Sequence, residues 1–273
     1  MEDESFDIIQ EKNNNPLNIQ NSIKLEKALI EHFDFISRLP LFSGITENEL
    51  KTLLKHARIS NYSKGNLIFM QGEQATRFYI IIEGWVKLFK GDIEGHESIL
   101  QVVNRGEALL ESVLLKDAIF PVSAQAVENV TLLSIPSAFI REEMQNNKFL
   151  AINMLATIAS RSQELISQFE QLTLKSVTQR VGWFLLKLYL DEGEKSTSLK
   201  LPYDKSLIAG YLGMKPETFS RTLQALREQG IYSEQNTINL RNALKLCDFC
   251  DVELSARCMR KGTNLCKNSD CQI

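Results

Sequence analysis

The residues with the clearest capacity for chemistry lie between Leu201 and Leu240. Glu217, Ser220 and Arg221 share one face of a helix-forming stretch, because residues three and four apart are neighbours on a helix surface, and Gln224 extends that face. Phe219, Leu223 and Leu226 make the opposite, apolar stripe. An arginine presented this way can donate two hydrogen bonds to O6 and N7 of a guanine, and a carboxylate can accept one from N4 of a cytosine. Ser220 is short enough to meet a base edge or a thymine methyl at close range. Lys215 and Thr218 open the same helix and complete the candidate DNA-facing set, with the lysine suited to a phosphate. An amphipathic helical hairpin with a solvated face would show a similar pattern.

The elements needed to hold such a face are legible around it. Asp204 can cap a helix KSLIAGYLG, in which Ile208 and Leu212 are four apart and Ala209 permits a close helix crossing. Gly213 supplies a sharp turn, and Pro216 suits the first position of the next helix, where its missing N–H costs nothing. Gly230 ends that helix. Ile231-Tyr232, a polar turn and Ile238–Leu240 then read as a β-hairpin wing. From Thr173 to Lys245 there are eleven Lys/Arg against seven Asp/Glu, a net +4, which leaves −7 for the rest of a chain whose total is −3. A basic segment on an acidic body is the electrostatic footprint of a nucleic-acid-binding domain.

A second group of chemically capable residues follows. All five cysteines, Cys247, Cys250, Cys258, Cys266 and Cys271, fall in the last 27 positions. Clustered cysteines in a cytosolic chain are metal ligands or redox groups more often than structural disulfides. A CxxC pair with distant partners serves both zinc and iron–sulfur sites, yet these spacings match neither the standard zinc-finger templates nor the ferredoxin run. An iron–sulfur cluster, zinc, and thiol–disulfide chemistry all remain open. His32, His56 and His96 are scattered and are expected to be surface or satisfied histidines rather than haem ligands.

Upstream, the texture changes twice. Residues 1 to about 30 form a lead-in interrupted at Asn13-Asn14-Asn15-Pro16, acidic and without the basic and apolar regions of a secretory signal. Thr46 and Glu49 form a capping box ahead of Leu50, Leu53 and Leu54. From Ile59 to Ile135 short apolar runs alternate with Gly65, Gly72, Gly84, Gly91, Gly95 and Gly106. The candidate strands are Leu67–Met70, Phe78–Ile82, Trp85–Phe89, Ser98–Val102, Ser123–Val127 and Thr131–Ile135, the pattern of an all-β sandwich or barrel. From about Phe139 to Leu172 there is neither Pro nor Gly, which predicts one long helix. Leu155, Ile158, Ser162, Leu165, Phe169 and Leu172 recur at 3, 4, 3, 4, 3, an a/d seam suited to a symmetric dimer. Met154, Ile158, Arg161, Leu165 and Gln168 form a bordering stripe, so one stripe can pack on the β domain while the other meets a second copy. A single long core helix would read similarly. A further helix spans about Ser176–Leu190, stopped by Asp191-Glu192-Gly193.

With 273 residues, 44% of them apolar and 24% charged, the chain can build two globular domains. Apolar runs such as Phe78–Ile82 are far too short to span a membrane. The expectation is a cytoplasmic protein without a membrane partner.

LPYDKSLIAGYLGMKPETFSRTLQALREQGI resembles the helix-turn-helix of the Crp/Fnr superfamily, with PETFSR as the specific core of the match. MQGEQATRFYIIIEGWVKLFK resembles that family's β-roll, and FPVSAQAVENVTLLSIP its closing strands; the similarity spans about residues 39–245. The resemblance implies an α+β fold: a β-roll sensor like the cyclic-nucleotide-binding jelly roll, a long dimerisation helix and a C-terminal winged helix-turn-helix. The corresponding boundaries are 1–35 for an extension, 36–136 for the sensor, 137–172 for the helix, 173–245 for the DNA-binding domain and 246–273 for a cysteine-rich tail. It further implies a homodimeric transcription regulator, not an enzyme. Glu217, Ser220 and Arg221 match the E-x-x-S-R triplet of the Fnr branch, implying palindromes of TTGA-type half-sites in double-stranded DNA, with RNA polymerase a further candidate partner. Lys215 stands where a small polar residue is commoner, and Thr222 where the family carries an aliphatic residue.

In cyclic-AMP-binding members a Gly-Glu turn followed by an Arg-Ser pair cradles the phosphate. Here Glu111 matches the glutamate, but Leu110 replaces the glycine and Pro121-Val122 the Arg-Ser pair, so cAMP is not expected to bind. The N-terminal cysteine set of Fnr-like cluster sensors is absent. The five-cysteine tail instead looks like that of relatives that carry a cluster at the C-terminus.

Overall fold

The computed structural model describes residues 31–92, 97–114, 119–193 and 197–258. The lead-in expected at residues 1–30, together with His96, Cys266 and Cys271, lies outside the described residues. The chain divides into two compact units, with the boundary after Ser162.

The first unit is the β-roll. Its strands are β1 (Arg58–Tyr62), β2 (Leu67–Phe69), β3 (Arg77–Glu83), β4 (Val86–Gly91), β5 (Glu97–Val103), β6 (Ala108–Leu109), β7 (Ser123–Ala126) and β8 (Val130–Pro136). They form two antiparallel sheets, in the orders β1-β8-β3-β6 and β2-β7-β4-β5. The first sheet is buried on both faces. On β3, Phe78, Ile80 and Ile82 join a core with the flanking helices, while Ile81 joins the core between the sheets; Leu133 and Ile135 of β8 divide from Val130 and Leu132 in the same way. Two-sided burial requires a nearly continuous apolar run in place of strict alternation, which is why RFYIIIE carries little period-2 signal.

All six strands expected from sequence are present, within a residue or two at their ends. β1 and β6 are additions. β1 reads RISNY and lies at a sheet edge with no fully buried residue, so its composition carries no apolar signal. β6 is only two residues long.

Helix α1 (Glu47–Leu54) starts with the expected capping box: Glu49 N–H donates to Thr46 Oγ1 (3.4 Å) and Thr46 N–H to Glu49 Oε2 (2.8 Å). The Thr46 hydroxyl, which donates to Glu49 Oε2 at 2.6 Å, and then the Thr46 N–H hold the Glu49 carboxyl below its usual range. A helical stretch at 31–37 and a short turn, Pro40–Phe42, add Ile36, Leu39, Leu41 and Phe42 to the core.

The single helix expected from Phe139 to Leu172 is two helices, α2 (Ser137–Asn146) and α3 (Lys148–Leu174). Asn147 breaks it. Its backbone is extended (φ −119°, ψ 104°), and its Oδ1 accepts 3.1 Å hydrogen bonds from the N–H groups of Phe149 and Leu150. An asparagine offering its side chain as N-cap competes with helix continuation even where no Pro or Gly intervenes.

The second unit continues from α3 into α4 (Val177–Asp191), β9 (Ser198–Lys200), α5 (Lys205–Tyr211), α6 (Pro216–Ala225), β10 (Ile231–Glu234), β11 (Thr237–Leu240) and α7 (Val252–Arg257). Ser176 and Gln179 form a capping box at α4. The wing pairs β10 with β11, and β9 adds a third strand that was not expected. Its core gathers Val181, Phe184, Leu185, Leu199, Ile208, Phe219, Leu223, Ile231 and Ile238, together with Leu246 and Leu254 from beyond the wing.

Among the described residues no helix is long and apolar enough to cross a membrane.

Gly84, between β3 and β4, has φ +89°, and a Cβ there would lie 2.7 Å from Asn129 O. Gly84→Ala should therefore lower stability by about 2 kcal/mol or more, combining left-handed backbone strain with a clash against main chain. A thermal melt of the full chain reads this directly; an unchanged midpoint would contradict the packing described.

Candidate nucleic-acid interface

The two helices of the motif are set by their termini. Asp204 caps α5 by accepting from Leu207 N–H at 2.9 Å. The chain then turns through Gly213 at φ +63°, a left-handed conformation that favours glycine. A Cβ on Gly213 would meet Leu172 Cδ2 at 2.6 Å and Arg180 Nη1 at 3.1 Å. Arg180 closes the turn by donating from Nη1 to Leu212 O at 2.7 Å, which satisfies a carbonyl left without a partner at the end of α5. Pro216 occupies the first turn of α6, and Lys215 is its N-cap residue without a side-chain cap bond.

On α6, Phe219 and Leu223 are buried, as is Leu226 just past its end, as their spacing requires. Glu217, Ser220, Arg221 and Gln224 are all exposed, as is Lys215, and Thr218 is half-buried. The proposed readers therefore share one solvent-facing strip. Thr222 is buried where the family pattern has an aliphatic side chain. Its hydroxyl donates to Thr218 O at 2.8 Å within the helix, so its polar atom is satisfied.

The wing brings further cations to the same unit. Tyr232 has the Arg241 guanidinium 4.6 Å and that of Arg227 5.9 Å from its ring centroid, and both arginines are exposed. Lys205 Nζ donates to Ser233 Oγ at 2.9 Å and ties α5 to β10. Sequence spacing pointed to neither Arg180 nor Lys205 as a positioning group, because each acts on main chain or a wing residue remote in sequence. Tyr203 is half-buried beside Phe184, and that desolvation pushes its phenol pKa upward.

The seam residues of α3 do not all behave alike. Leu155, Ser162, Leu165 and Phe169 are exposed, with Phe169 at 69%. Ile158 is instead half-buried against the β-roll core, alongside fully buried Met154, while Leu172 is exposed at 41% and also borders the Gly213 turn. Ile158 belongs to two stripes at once, the seam and the stripe that meets the β-roll core.

In the β-roll, Leu110 stands at φ +56°, a left-handed conformation at the position where the family pattern has glycine. Glu111 beside it is buried, and its Oε1 faces Arg161 Nη2 at 3.8 Å, while Arg161 Nη1 bonds Glu107 Oε1 at 3.3 Å. The matched glutamate thus already has a cationic neighbour from α3. Pro121 is exposed and Val122 buried, and neither can donate to an anionic group. His56 packs on the Phe139 ring at 4.1 Å between centroids.

Of the cysteines, Cys247, Cys250 and Cys258 are half-buried thiols. Cys247 lies in a tight helical turn (Ala243–Phe249), and Cys250 N–H donates to Cys247 O at 3.1 Å, so the CxxC pair shares one hydrogen-bonded turn. Among the described residues no three His, Cys, Asp or Glu converge on one point.

Residues 59–147 match the model of the cyclic nucleotide-binding domain, and residues 179–249 that of the Crp-like helix-turn-helix domain. The cyclic AMP receptor protein of Thermus thermophilus is 30% identical over 208 residues, 76% of this chain and 94% of that protein. The chain belongs to the Crp/Fnr superfamily of transcription regulators. It is also similar to the transcriptional activator protein anr of Pseudomonas aeruginosa, 24% identical over 221 residues, 79% of this chain and 89% of that one. A solved regulatory protein from Silicibacter pomeroyi is 36% identical, with 77% of this chain and 93% of that one aligned at a TM-score of 0.54. FixK2 from Bradyrhizobium japonicum, 24% identical over 71% of this chain and 98% of its own, shares the fold at a TM-score of 0.64. Its superfamily makes this chain a DNA-binding regulator, not an enzyme.

Arg221→Ala should relax discrimination at one base position of each half-site by about 1–3 kcal/mol. Lys215→Ala should weaken binding to all sequences evenly and reduce the slope of log affinity against log salt by about 1. Titrating single-base variants of a site at several salt concentrations separates the two. Unchanged base preference in Arg221→Ala would contradict its assignment.

Proposed function

We propose that this Crp/Fnr regulator works as a homodimer that reads a palindrome of TTGA-type half-sites, with a signal received by its C-terminal cysteines and not by cAMP. The observation that carries the proposal is the joint exposure of Glu217, Ser220 and Arg221 on one strip of α6, behind a turn held by Arg180. That strip can enter a major groove with Arg221 toward guanine and Glu217 toward cytosine. Exposed Leu155, Leu165 and Phe169 on α3 support a second copy as the partner, since two half-sites one helical turn apart require a two-fold protein. RNA polymerase is the expected further partner of a promoter-bound regulator.

The β-roll pocket argues against cAMP as effector. Pro121 and Val122 offer no bidentate cation to a cyclic phosphate, Leu110 gives the turn a side chain, and Glu111 is engaged by Arg161. Isothermal calorimetry with cAMP is expected to give no binding heat, and saturable binding would overturn this part of the reading.

The cysteines fit a thiophilic group in part. Cys247 and Cys250 supply two thiolates from one turn, and a four-thiolate site draws the rest from Cys258, Cys266 and Cys271. An iron–sulfur cluster there would supply sensitivity to oxygen or nitric oxide. The second reading is zinc that fastens the fold, in a regulator with another small effector or none, and it is favoured by the packing of Leu246 and Leu254 into the DNA-binding core. A redox-active dithiol uses the same pair.

Anaerobic purification with an absorption spectrum and metal analysis separates these. A brown protein with sulfide-to-iron bands supports the cluster, and a colourless protein with stoichiometric zinc removes it. Phe169→Asp should shift the protein toward monomer in sedimentation and weaken binding to the full palindrome far more than to non-specific DNA. A wild-type monomer would contradict the dimer.

A further inference from the structure

The residue inside the CxxC turn is what anchors the C-terminal segment to the DNA-binding unit. Phe249 lies between Cys247 and Cys250, and its ring rests on Gly182 in the middle of α4. A Cβ built on Gly182 would come within 2.2 Å of Phe249 Cγ. Glycine inside a helix is less favourable than alanine by about 1 kcal/mol, so its placement here is accounted for by the ring that needs the space. Other ties hold the same segment. Leu246 and Leu254 are fully buried in the shared core. Asp251, next to Cys250, accepts a 2.8 Å hydrogen bond from Nε2 of buried Gln171 in the last turn of α3, and it caps α7 through Leu254 N–H at 3.0 Å. Arg257 pairs with Asp191 at the end of α4.

The elements gripped by this segment are the ones that grip the helix-turn-helix turn. Gly182 is two residues from Arg180, whose Nη1 bonds Leu212 O; Gln171 precedes Leu172, which packs on Gly213. α4 and the last turn of α3 therefore touch the cysteine turn on one side and the recognition turn on the other.

We propose that Cys247 and Cys250 form a site for a thiophilic cation whose occupancy is thermodynamically linked to the seating of Phe249 on Gly182. A cation binding both sulfurs displaces their two protons to solvent and locks the turn that presents the ring. The closed turn then holds α4, and with it the Arg180 bond that sets the helix-turn-helix. The inference rests on the reading that these cysteines take a metal, and adds how occupancy reaches the DNA-reading face. Coupling of this kind is reciprocal: unseating the ring must lower cation affinity by the factor through which the cation promotes seating.

The test uses the full chain, reduced and metal-free, with Zn(II) alone as probe and a chromogenic chelator as competitor. Phe249→Ala and Gly182→Ala should each weaken Zn(II) binding about tenfold, within the usual range of coupling between sites, although neither touches a sulfur. Phe249→Leu, which keeps an apolar anchor, should lose less. The double variant Gly182→Ala/Phe249→Ala should bind Zn(II) no more weakly than Phe249→Ala, because the added methyl then has no ring to displace. Wild-type Zn(II) affinity in Phe249→Ala and Gly182→Ala overturns the linkage while leaving the metal reading intact. Zn(II) bound no better by the wild type than by Cys247→Ser/Cys250→Ser removes the metal reading, and the linkage with it.

Discussion

The DNA-reading unit depends on one close approach, at Gly213. The left-handed turn there lets α6 leave α5 at a fixed angle, and the room a Cβ would need is taken by Leu172 and Arg180. Arg180 also satisfies Leu212 O, so steric fit and hydrogen bonding act on the same few atoms. The exposed strip of Glu217, Ser220, Arg221 and Gln224 takes its direction from that turn. Base discrimination tolerates little misplacement, since a bidentate arginine contact requires both donors in register with O6 and N7.

The β-roll obeys a different constraint. Its first sheet is covered on one face by helices and on the other by the second sheet, so β3 and β8 are apolar almost throughout. The fold of a cyclic-nucleotide-binding domain is therefore kept by packing, independently of whether the pocket keeps its anion-binding groups. Here Arg161 reaches Glu107 and Glu111, an internal ion pair at the place where the family pattern has its ligand-binding glutamate.

Much of this was legible from residue spacing, for physical reasons that differ by element. Capping residues act within three positions, so Thr46, Asp204 and Pro216 marked their helix starts, while Gly230 caps the short 3-10 turn Leu226–Gln229 that follows α6. Phe219, Leu223 and Leu226 declared the buried side of this segment, and its exposed strip followed by exclusion. Edge strand β1, two-residue β6 and short β9 carried too little apolar signal, being held by ladder bonds to strands distant in sequence. The break at Asn147 depends on a side-chain cap that a search for Pro and Gly passes over. The stripe of α3 that meets the β-roll core, Met154 and Ile158, could not be told from the exposed seam by period alone, because the helix is apolar on more than one side. The part of the cysteine segment that packs into the DNA-binding core was hidden for the same reason: Phe249 and Gly182 are 67 positions apart, and nothing local to either announces the other.

That a symmetric pair of these α6 strips reads DNA is tested by selecting bound sequences from a random duplex pool with the full chain. The expected outcome is enrichment of an inverted repeat of TTGA-type half-sites, centred about one helical turn apart, with a guanine preference that is lost in the Arg221→Ala protein. Enrichment of a single unrepeated site, or of a repeat unaffected by that substitution, would contradict it.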